Sequence, residues 1–347
     1  MSEEFRMVNN KGVTEVSFDN RKFVFVSREM LKIVNELAGK IAPHDINILI
    51  TGQTGVGKDV LAEIIHYLSE RQGSFVNCNI SGLSVNLFES ELFGYIRGAF
   101  TGAGKNSPGY FKVAHKGTLL LNEIGDLAPG SQVKILTAIE SKRIYPVGSQ
   151  RADELDVRII SITNQSPGQL MAEAKLRPDL FYRLRGFLIH IPSLKERKED
   201  ILILAKHFIE KSSQKFDKEN VALSKEAKSY ILDYSWPGNV RELDHVIEQA
   251  VFMADNGVLE EDNLRQVIKE NLHQSNAGEE AQSTALPVDI SPPFSLINFL
   301  KLQRNSIEKK AIILALEECH QNKSAAARML NVDRRDLYYR MKRLDII

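Results

Sequence analysis

The segment Gly52-Gln53-Thr54-Gly55-Val56-Gly57-Lys58 decides the fold, because it satisfies the pattern G-x-x-x-x-G-K between a predicted strand and a predicted helix. The apolar run Ile46–Ile50 before it is typical of a buried strand, and residues 59–68 after it place apolar side chains at helical spacing. Glycines let backbone N–H groups close around phosphate oxygens, and the N-terminus of the helix adds a favourable dipole. We therefore predict a phosphate-binding loop in which Lys58 reaches the outer phosphates, rather than a plain glycine-rich turn.

The chain up to residue 270 alternates strand and helix patterns. Further strands are predicted at Phe75–Asn79, Thr118–Leu121 and Val157–Ile162. Strands separated by helices favour a parallel sheet that is covered by helices on both faces. After Arg197 the strand patterns give way to amphipathic helices, such as Val240–Met253. The predicted fold class is therefore an α/β core followed by a smaller helical subdomain.

The predicted strand Thr118–Leu121 ends in Asn122 and Glu123. In proteins with a phosphate loop an Asp associated with Mg²⁺ usually follows such a strand, but here that position holds an uncharged amide. Glu123 remains, and its carboxylate could polarise the water that attacks a phosphate. Asp59, directly after Lys58, stands where a general phosphate loop carries a Ser or Thr ligand of Mg²⁺.

Composition excludes several classes of protein. Hydrophobic residues make up 43% of the 347 residues and charged residues 26%, which is ordinary for a globular chain. The net charge is zero, and Cys78 and Cys319 are far apart in sequence, so neither a disulfide scaffold nor a zinc finger is expected. The sequence contains no signal peptide and no apolar run of about 20 residues. We expect a cytoplasmic protein without a membrane partner.

The last part of the sequence is basic. Residues 323–343 carry seven basic side chains against two acidic ones, whereas residues 271–300 contain no Lys or Arg and have the composition of a linker. Three short helices are predicted after the linker, with a tight turn before the last one, and this is helix-turn-helix geometry. We expect this domain to bind DNA, with Arg334, Arg335 and Tyr339 facing the major groove. The residues expected to contact phosphates are Lys323, Arg340, Lys342 and Arg343.

The segment Glu91–Ala103 carries a family signature. It contains Gly98-Ala99-Phe100-Thr101-Gly102-Ala103, which resembles the GAFTGA loop of the sigma-54-dependent transcriptional activators, or bacterial enhancer-binding proteins, which are AAA+ ATPases. The resemblance covers residues 25–270, and the predicted C-terminal helices resemble the Fis-type domain that ends most members. Other segments that match the family in its order are Gly52–Lys58, Leu121–Asp126, Arg158–Asn164 and Trp236–Leu243.

The resemblance implies how the chain is divided and what it binds. The implied parts are an N-terminal tail (1–24), an AAA+ α/β core (25–194), a helical AAA+ lid (195–270), a linker (271–303) and a Fis-type helix-turn-helix domain (304–347). The implied cofactors are ATP and Mg²⁺, held by residues 52–59 together with Asn122, and no protein metal cage is expected.

The resemblance also assigns roles to single residues. Lys58 would hold the phosphates and Glu123 would activate water. Asn79 falls where the family has an asparagine that restrains this glutamate until the loop responds. Asn164 matches sensor I, which responds to the γ-phosphate, and Arg241 matches sensor II. These residues would therefore form one site for nucleotide hydrolysis.

Arg177 and Arg183 lie in a segment that resembles the one offering arginine fingers to a neighbouring subunit. A finger supplied in this way implies a ring of identical subunits, which is a hexamer in most of the family. Thr101 would sit at the tip of a mobile loop that touches sigma-54 in one nucleotide state. Hydrolysis would then remodel the closed complex of the sigma-54 RNA polymerase holoenzyme, with the activator bound to upstream enhancer DNA.

Two features leave alternatives open. Asn122 departs from the family's usual Asp, so the chain is either an ATP-driven activator or a nucleotide-binding, DNA-bound regulator that hydrolyses ATP poorly. Residues 1–24 are too few to form a receiver domain before the AAA+ core. Either a separate regulatory protein acts in trans, or the sequence is a piece of a longer protein.

Overall fold

The computed structural model describes residues 6–10, 13–18, 21–25, 27–83, 85–218, 221–254 and 257–271, and the single positions 322, 323, 325 and 341. The chain divides into two compact units, Met1–Gln274 and Ser275–Ile347. The predicted linker after residue 271 and the predicted helix-turn-helix domain lie outside the described residues, apart from those single positions.

The strands and helices with defined bounds belong to the first unit. The strands are β1 (Arg6–Asn10), β2 (Val13–Phe18), β3 (Arg21–Phe25), β4 (Ile48–Thr51), β5 (Phe75–Asn79), β6 (Gly94–Tyr95), β7 (Ser107–Pro108), β8 (Thr118–Asn122), β9 (Arg143–Ile144), β10 (Asp153–Glu154), β11 (Arg158–Thr163), β12 (Phe187–His190), β13 (Ala222–Leu223) and β14 (Val258–Leu259). The helices are α1 (Arg28–Glu36), α2 (Lys58–Leu68), α3 (Val85–Phe93), α4 (Tyr110–Val113), α5 (Pro129–Ser141), α6 (Pro167–Ala172), α7 (Pro178–Leu184), α8 (Lys198–Phe216), α9 (Lys225–Asp233) and α10 (Asn239–Met253).

The core of this unit is a parallel sheet, which in the described part of the chain has the strand order β12-β4-β11-β8-β5. Every side chain of β4 and β11 is buried, as expected of strands that are covered on both faces. The predicted α/β class is confirmed, and the predicted strands agree with the observed ones to within two residues. The sequence does not indicate the edge strand β12, because it is short and most of its side chains are at least partly exposed.

Helices cover both faces of the sheet. Successive side chains of a strand point to opposite faces, so Leu119 and Leu121 of β8 belong to one hydrophobic cluster and Leu120 to another. Helices α3, α5 and α7 contribute to the first cluster, and α1 and α2 contribute to the second. Burial of each Leu side chain contributes about 1.5–3 kcal/mol. This packing holds the carboxyl ends of β4, β5, β8 and β11 along one edge, where ligands of open α/β sheets bind.

The N-terminal segment contains a folded sheet. Strands β1, β2 and β3 pair antiparallel, and Val16 and Phe25 are buried in the same cluster as Met30 of α1. The interpretation of residues 1–24 as a tail is therefore wrong for these strands. Their pattern is weak in the sequence because only one face of such a sheet packs on the core, and charged side chains lie between the apolar ones.

The helical subdomain consists of α8, α9, α10 and a helical stretch at residues 261–271. Its core includes the fully buried Trp236, whose indole N–H donates a 2.8 Å hydrogen bond to the carbonyl of Ile231. The prediction of a helical lid is confirmed, although the sequence does not indicate the short parallel pair of β13 and β14. Over the described ranges no helix is both long and apolar enough to cross a membrane.

Candidate functional site

The loop between β4 and α2 is folded around its own lysine. Gly55 and Gly57 have φ angles of 80° and 102°, which glycine adopts without a steric penalty. Lys58 Nζ donates hydrogen bonds to the carbonyl oxygens of Gly52 (2.8 Å) and Gln53 (3.1 Å). Because Gly57 precedes α2 and provides no side-chain cap, the first N–H groups of the helix suit an anionic ligand.

Lys58 is buried and lies among charged groups. Burial lowers the pKa of its ammonium group, the negative charges of Glu123 and Asp59 oppose this shift, and the positive charge of Arg241 adds to it. These interactions require the four charged groups to lie close together. The structure therefore collects four of the predicted site residues around the phosphate loop.

Asp59 and Asn122 are in direct contact. Asn122 Nδ2, at the end of β8, donates a 3.0 Å hydrogen bond to Asp59 Oδ1 in the first turn of α2. Both side chains are half-buried. An amide group can donate to a carboxylate, so the pair avoids the repulsion that two carboxylates would have at this distance. The sequence does not indicate this pairing, because 63 positions separate the two residues.

Glu123 has a left-handed backbone conformation, with φ 57° and ψ 56°. Such a conformation costs a non-glycine residue of order 1–3 kcal/mol and is concentrated at functional sites. Its Oε2 atom accepts a 3.2 Å hydrogen bond from the backbone N–H of Asn164, directly after β11. The structure thus brings the predicted water-activating carboxylate into contact with the predicted sensor I residue.

Asn79 ends β5 and is the register partner of Asn122 in the neighbouring strand. It therefore lies beside the strand end from which Glu123 follows. Among the described residues Glu123 is hydrogen-bonded to Asn164 and not to Asn79. The restraining role of Asn79 stays a prediction.

The lid contacts the phosphate loop through the fully buried Asn239. Its Nδ2 donates to the carbonyl of Thr54 (3.0 Å) and to Gln53 Oε1 (3.2 Å), and its Oδ1 accepts from the N–H of Leu194 (2.8 Å). A buried amide with partners for both its donor and its acceptor fixes the position of the groups around it. The sequence gives no role to Asn239, although it lies in the quoted segment Trp236–Leu243.

Arg241 adds a second contact between lid and loop. Its backbone N–H donates a 3.2 Å hydrogen bond to the carbonyl of Gly55, and its side chain is exposed. A Cβ atom on Gly55 would lie 2.2 Å from the carbonyl oxygen of Gly238, so the lid approaches the loop at a distance that only glycine permits. The predicted sensor II residue is therefore held at the phosphate loop by main-chain contacts.

Arg177 and Arg183 are exposed near the two ends of α7. Arg177 donates hydrogen bonds of 3.1 and 2.7 Å to the carboxylate of Asp179. The carbonyl of Arg183 accepts a 2.9 Å hydrogen bond from Asn47, whereas its guanidinium forms no ion pair with any described residue. Neither guanidinium bonds to the phosphate loop of its own chain, and their role as fingers stays a prediction.

The segment Gly98–Ala103 is a tight exposed loop. The N–H of its first residue bonds to the carbonyl of its last at 2.9 Å, and its two glycines have φ angles of 83° and 101°. Thr101 is exposed at the tip. Phe100 is 41% exposed and meets the Tyr95 ring edge-on, with 5.0 Å between the ring centroids. The predicted contact segment is therefore accessible to a partner.

The donor set of the phosphate-loop site suits a nucleotide with Mg²⁺. Loop N–H groups and Lys58 would hold the phosphates, and Asp59, Asn122 and Glu123 offer the oxygen ligands that Mg²⁺ prefers. Among the described residues no group of three or more His, Cys, Asp or Glu side chains could hold a metal ion. Mg²⁺ does not need such a cage, because it keeps several waters and binds one or two carboxylates together with phosphate oxygens.

Three family profiles match consecutive parts of the chain. They are described as the Sigma-54 interaction domain (residues 24–190), the AAA+ ATPase lid domain (195–281) and the bacterial regulatory protein, Fis family (303–344). The chain is 37% identical to the transcriptional activator RocR of Bacillus subtilis, over 97% of this chain and 70% of that protein. It belongs to the family of sigma-54-dependent transcriptional activators.

Other members of this family are similarly close. The regulatory protein AtoC of Escherichia coli is 37% identical over 92% of this chain and 67% of its own length. The phenol regulator MopR of Acinetobacter guillouiae is 35% identical over the whole chain, which spans 60% of that protein. The chain thus spans about two thirds of the length of these relatives.

Solved structures of NtrX from Brucella abortus share the fold. The complex with ADP superposes with a TM-score of 0.64 and 27% identity, over 92% of this chain and 70% of that one. The complex with ATP superposes with a TM-score of 0.64 and 28% identity, over 93% of this chain and 69% of that one. The AAA+ class with a helical lid and a C-terminal helix-turn-helix domain is therefore confirmed.

The predicted DNA-binding residues of this activator fall in its Fis-type part. Lys323 is described and exposed. The others lie outside the described residues: Arg334, Arg335, Tyr339, Arg340, Lys342 and Arg343.

Proposed function

We propose that this sigma-54-dependent activator hydrolyses ATP and uses the Gly98–Ala103 loop to remodel the closed complex of sigma-54 RNA polymerase. The observation that carries the proposal is the exposed loop tip, with Thr101 at its apex, in the same compact unit as the buried Lys58. A loop whose position depends on the γ-phosphate can convert hydrolysis into a changed contact with a partner.

The residues of the site have different roles in ATP hydrolysis. Lys58 and the loop N–H groups bind the phosphates, and Glu123 orients the attacking water. Mg²⁺, when bound, neutralises the charge that develops on the transferred phosphoryl group. Because Asn164 donates its N–H to Glu123, a displacement at sensor I would move the catalytic carboxylate. Asn79, the register partner of Asn122 on the neighbouring strand, would bind that carboxylate once it is released.

A homo-oligomeric ring, with six subunits as in the family, would complete the site. Arg177 and Arg183 are exposed on α7, so they are accessible to the nucleotide of an adjacent subunit. A guanidinium is always charged and offers a planar set of donors, which suits a phosphate in transfer. The contacts between subunits would be head-to-tail and would close into a ring.

The second partner is upstream enhancer DNA. The Fis family match at residues 303–344 and the basic residues there support sequence-specific binding. Truncation after Asn271 is expected to abolish operator binding while the ATPase activity persists. Retention of operator affinity by the truncated chain would contradict this assignment. A regulatory protein acting in trans stays a prediction.

The test of the proposed function combines three assays. ATP binding, Mg²⁺-dependent ATPase activity and open-complex formation by sigma-54 polymerase are measured for the natural chain, for Thr101→Ala and for Thr137→Ala. Thr137 is an exposed residue of α5 and is the matched control. We expect Thr101→Ala to keep ATP binding and lose open complexes, and Thr137→Ala to keep both. Loss of nucleotide binding in Thr101→Ala would contradict the assignment of the loop.

Asn122 supports a second candidate function, a nucleotide-binding, DNA-bound regulator with weak or no hydrolysis. An amide next to Mg²⁺ supplies no negative charge, and charge is what the metal site needs during transfer. The two candidates differ in one measurement, the steady-state ATPase rate against that of Glu123→Gln. Equal rates would favour the second candidate, and a faster natural chain would favour the first.

A further inference from the structure

The contact between Asp59 and Asn122 joins the two positions that face the metal in phosphate-loop enzymes. One position follows the loop lysine and usually holds a Ser or Thr ligand of Mg²⁺, and the other ends a strand and usually holds an Asp. Here the first position holds the carboxylate and the second holds the amide, with 3.0 Å between Asn122 Nδ2 and Asp59 Oδ1. The pair has one negative charge, and that charge lies on α2 instead of β8.

We propose that Asp59 supplies the metal-side carboxylate that Asn122 lacks, and that Asn122 is the positioning residue that orients it. This inference rests on the proposed function as an ATPase. Asn122 uses its N–H to hold one oxygen of the carboxylate, and the other oxygen, Asp59 Oδ2, accepts no hydrogen bond from the described part of the chain. A carboxylate held at one oxygen keeps its second oxygen for Mg²⁺ or for a water bound to it.

The position of Asp59 supports this assignment. Asp59 follows Lys58 directly in the first turn of α2, and its hydrogen bond to Asn122 holds it at the carboxyl end of β8. A different role for Asp59 would be purely structural, since a carboxylate in the first turn of a helix also interacts favourably with the helix dipole. A structural role would change stability without changing the affinity for a metal.

The test measures metal binding without turnover. Mn²⁺ binding is followed by electron paramagnetic resonance with a non-hydrolysable ATP analogue bound. The proteins are the natural full chain, Asp59→Asn, Asp59→Ala and the exchange variant Asp59→Asn/Asn122→Asp. The matched control is Asp126→Asn, which removes one exposed carboxylate just beyond β8.

We expect Asp59→Asn and Asp59→Ala to weaken Mn²⁺ binding about 10-fold or more, the effect typical of groups that support a metal site. The exchange variant should regain most of that affinity, because it restores one carboxylate and one amide donor in the reverse order. Asp126→Asn should leave the affinity unchanged. Unchanged Mn²⁺ affinity in both single variants of Asp59, or no recovery in a folded exchange variant, would overturn the inference.

A separate measurement distinguishes failure of the proposed function from failure of this inference. A fluorescent ATP analogue is titrated in the presence of EDTA, where the phosphates are held by Lys58 and the loop N–H groups alone. Absence of nucleotide binding by the natural chain would contradict the proposed function. Normal nucleotide binding together with unchanged Mn²⁺ affinity in the Asp59 variants would contradict only the inference. Thermal melting of each variant shows that it is folded.

Discussion

Arg197 Nη2, at the start of the lid, donates a 2.9 Å hydrogen bond to the carbonyl of Val56 in the phosphate loop. The same guanidinium pairs with Asp200 Oδ2 at 3.3 Å, and both side chains are almost fully buried. Asp200 Oδ1 in turn accepts a 2.6 Å hydrogen bond from the N–H of Ser27, which caps α1. One buried ion pair therefore connects the lid, the phosphate loop and the start of the core.

We predict that Arg197→Ala destabilises the first unit by about 3–5 kcal/mol, because it leaves the charge of Asp200 buried without its partner. The measurement is the free energy of unfolding in urea. The control is Arg143→Ala, which removes an exposed ion pair with Glu154 and should cost less than about 1 kcal/mol. Equal costs for the two variants would contradict the role of the buried pair.

Gly55→Ala should separate the lid from the phosphate loop. The new Cβ would overlap the carbonyl oxygen of Gly238, and the φ angle of 80° adds strain, so we expect a loss of about 1–3 kcal/mol. The control is Gly130→Ala in α5, where nothing lies within 4 Å of the new Cβ and alanine favours the helix. Urea unfolding without nucleotide measures both, and a Gly55→Ala protein as stable as Gly130→Ala would refute the close approach.

Arg177→Ala and Arg183→Ala should each lower the rate of ATP hydrolysis by about 10³-fold while nucleotide affinity stays within a few-fold. Arg185→Ala, which removes a cation lying 5.6 Å over the Phe181 ring, is the control on the same segment and should keep the rate. Mixing each variant with Lys58→Ala subunits should restore activity only if the arginine acts across a subunit interface. A loss of nucleotide binding equal to the loss of rate would contradict the finger assignment.

The thiol of Cys78 should resist alkylation in the folded protein. Burial raises its pKa to about 11, and the charge of Glu91 adds to the shift, so the thiolate is scarce at pH 8. The folded state therefore loses stability as the pH rises from about 9, the value of an unperturbed thiol, to about 11. In a Cys319→Ser background, iodoacetamide labelling followed by mass spectrometry should be slow at pH 8 and fast in urea. Rapid labelling of the native protein would contradict the burial of Cys78.

The sequence by itself determined the phosphate loop, most of the parallel sheet and the lid. These features depend on short-range patterns. Gly52–Lys58 needs its glycines because its backbone adopts positive φ angles, and the strand Thr118–Leu121 carries three consecutive leucines because both its faces are covered. The sequence also predicts the Gly98–Ala103 loop, because its two glycines and its exposed threonine lie within six consecutive residues. The sequence did not predict the strands at the N-terminus, because burial of only one face around Val16 leaves a weak hydrophobic pattern.

Only the tertiary structure decided which polar side chains meet. Asp59 and Asn122 are 63 positions apart, Gln53 and Asn239 are 186 apart, and neither contact follows from the pattern of its own segment. Parallel strands connected through helices bring their carboxyl ends to one edge, so residues distant in sequence become neighbours there. The sequence therefore specified the chemical groups of the site, and the order of β4, β11, β8 and β5 in the sheet decided which of them touch.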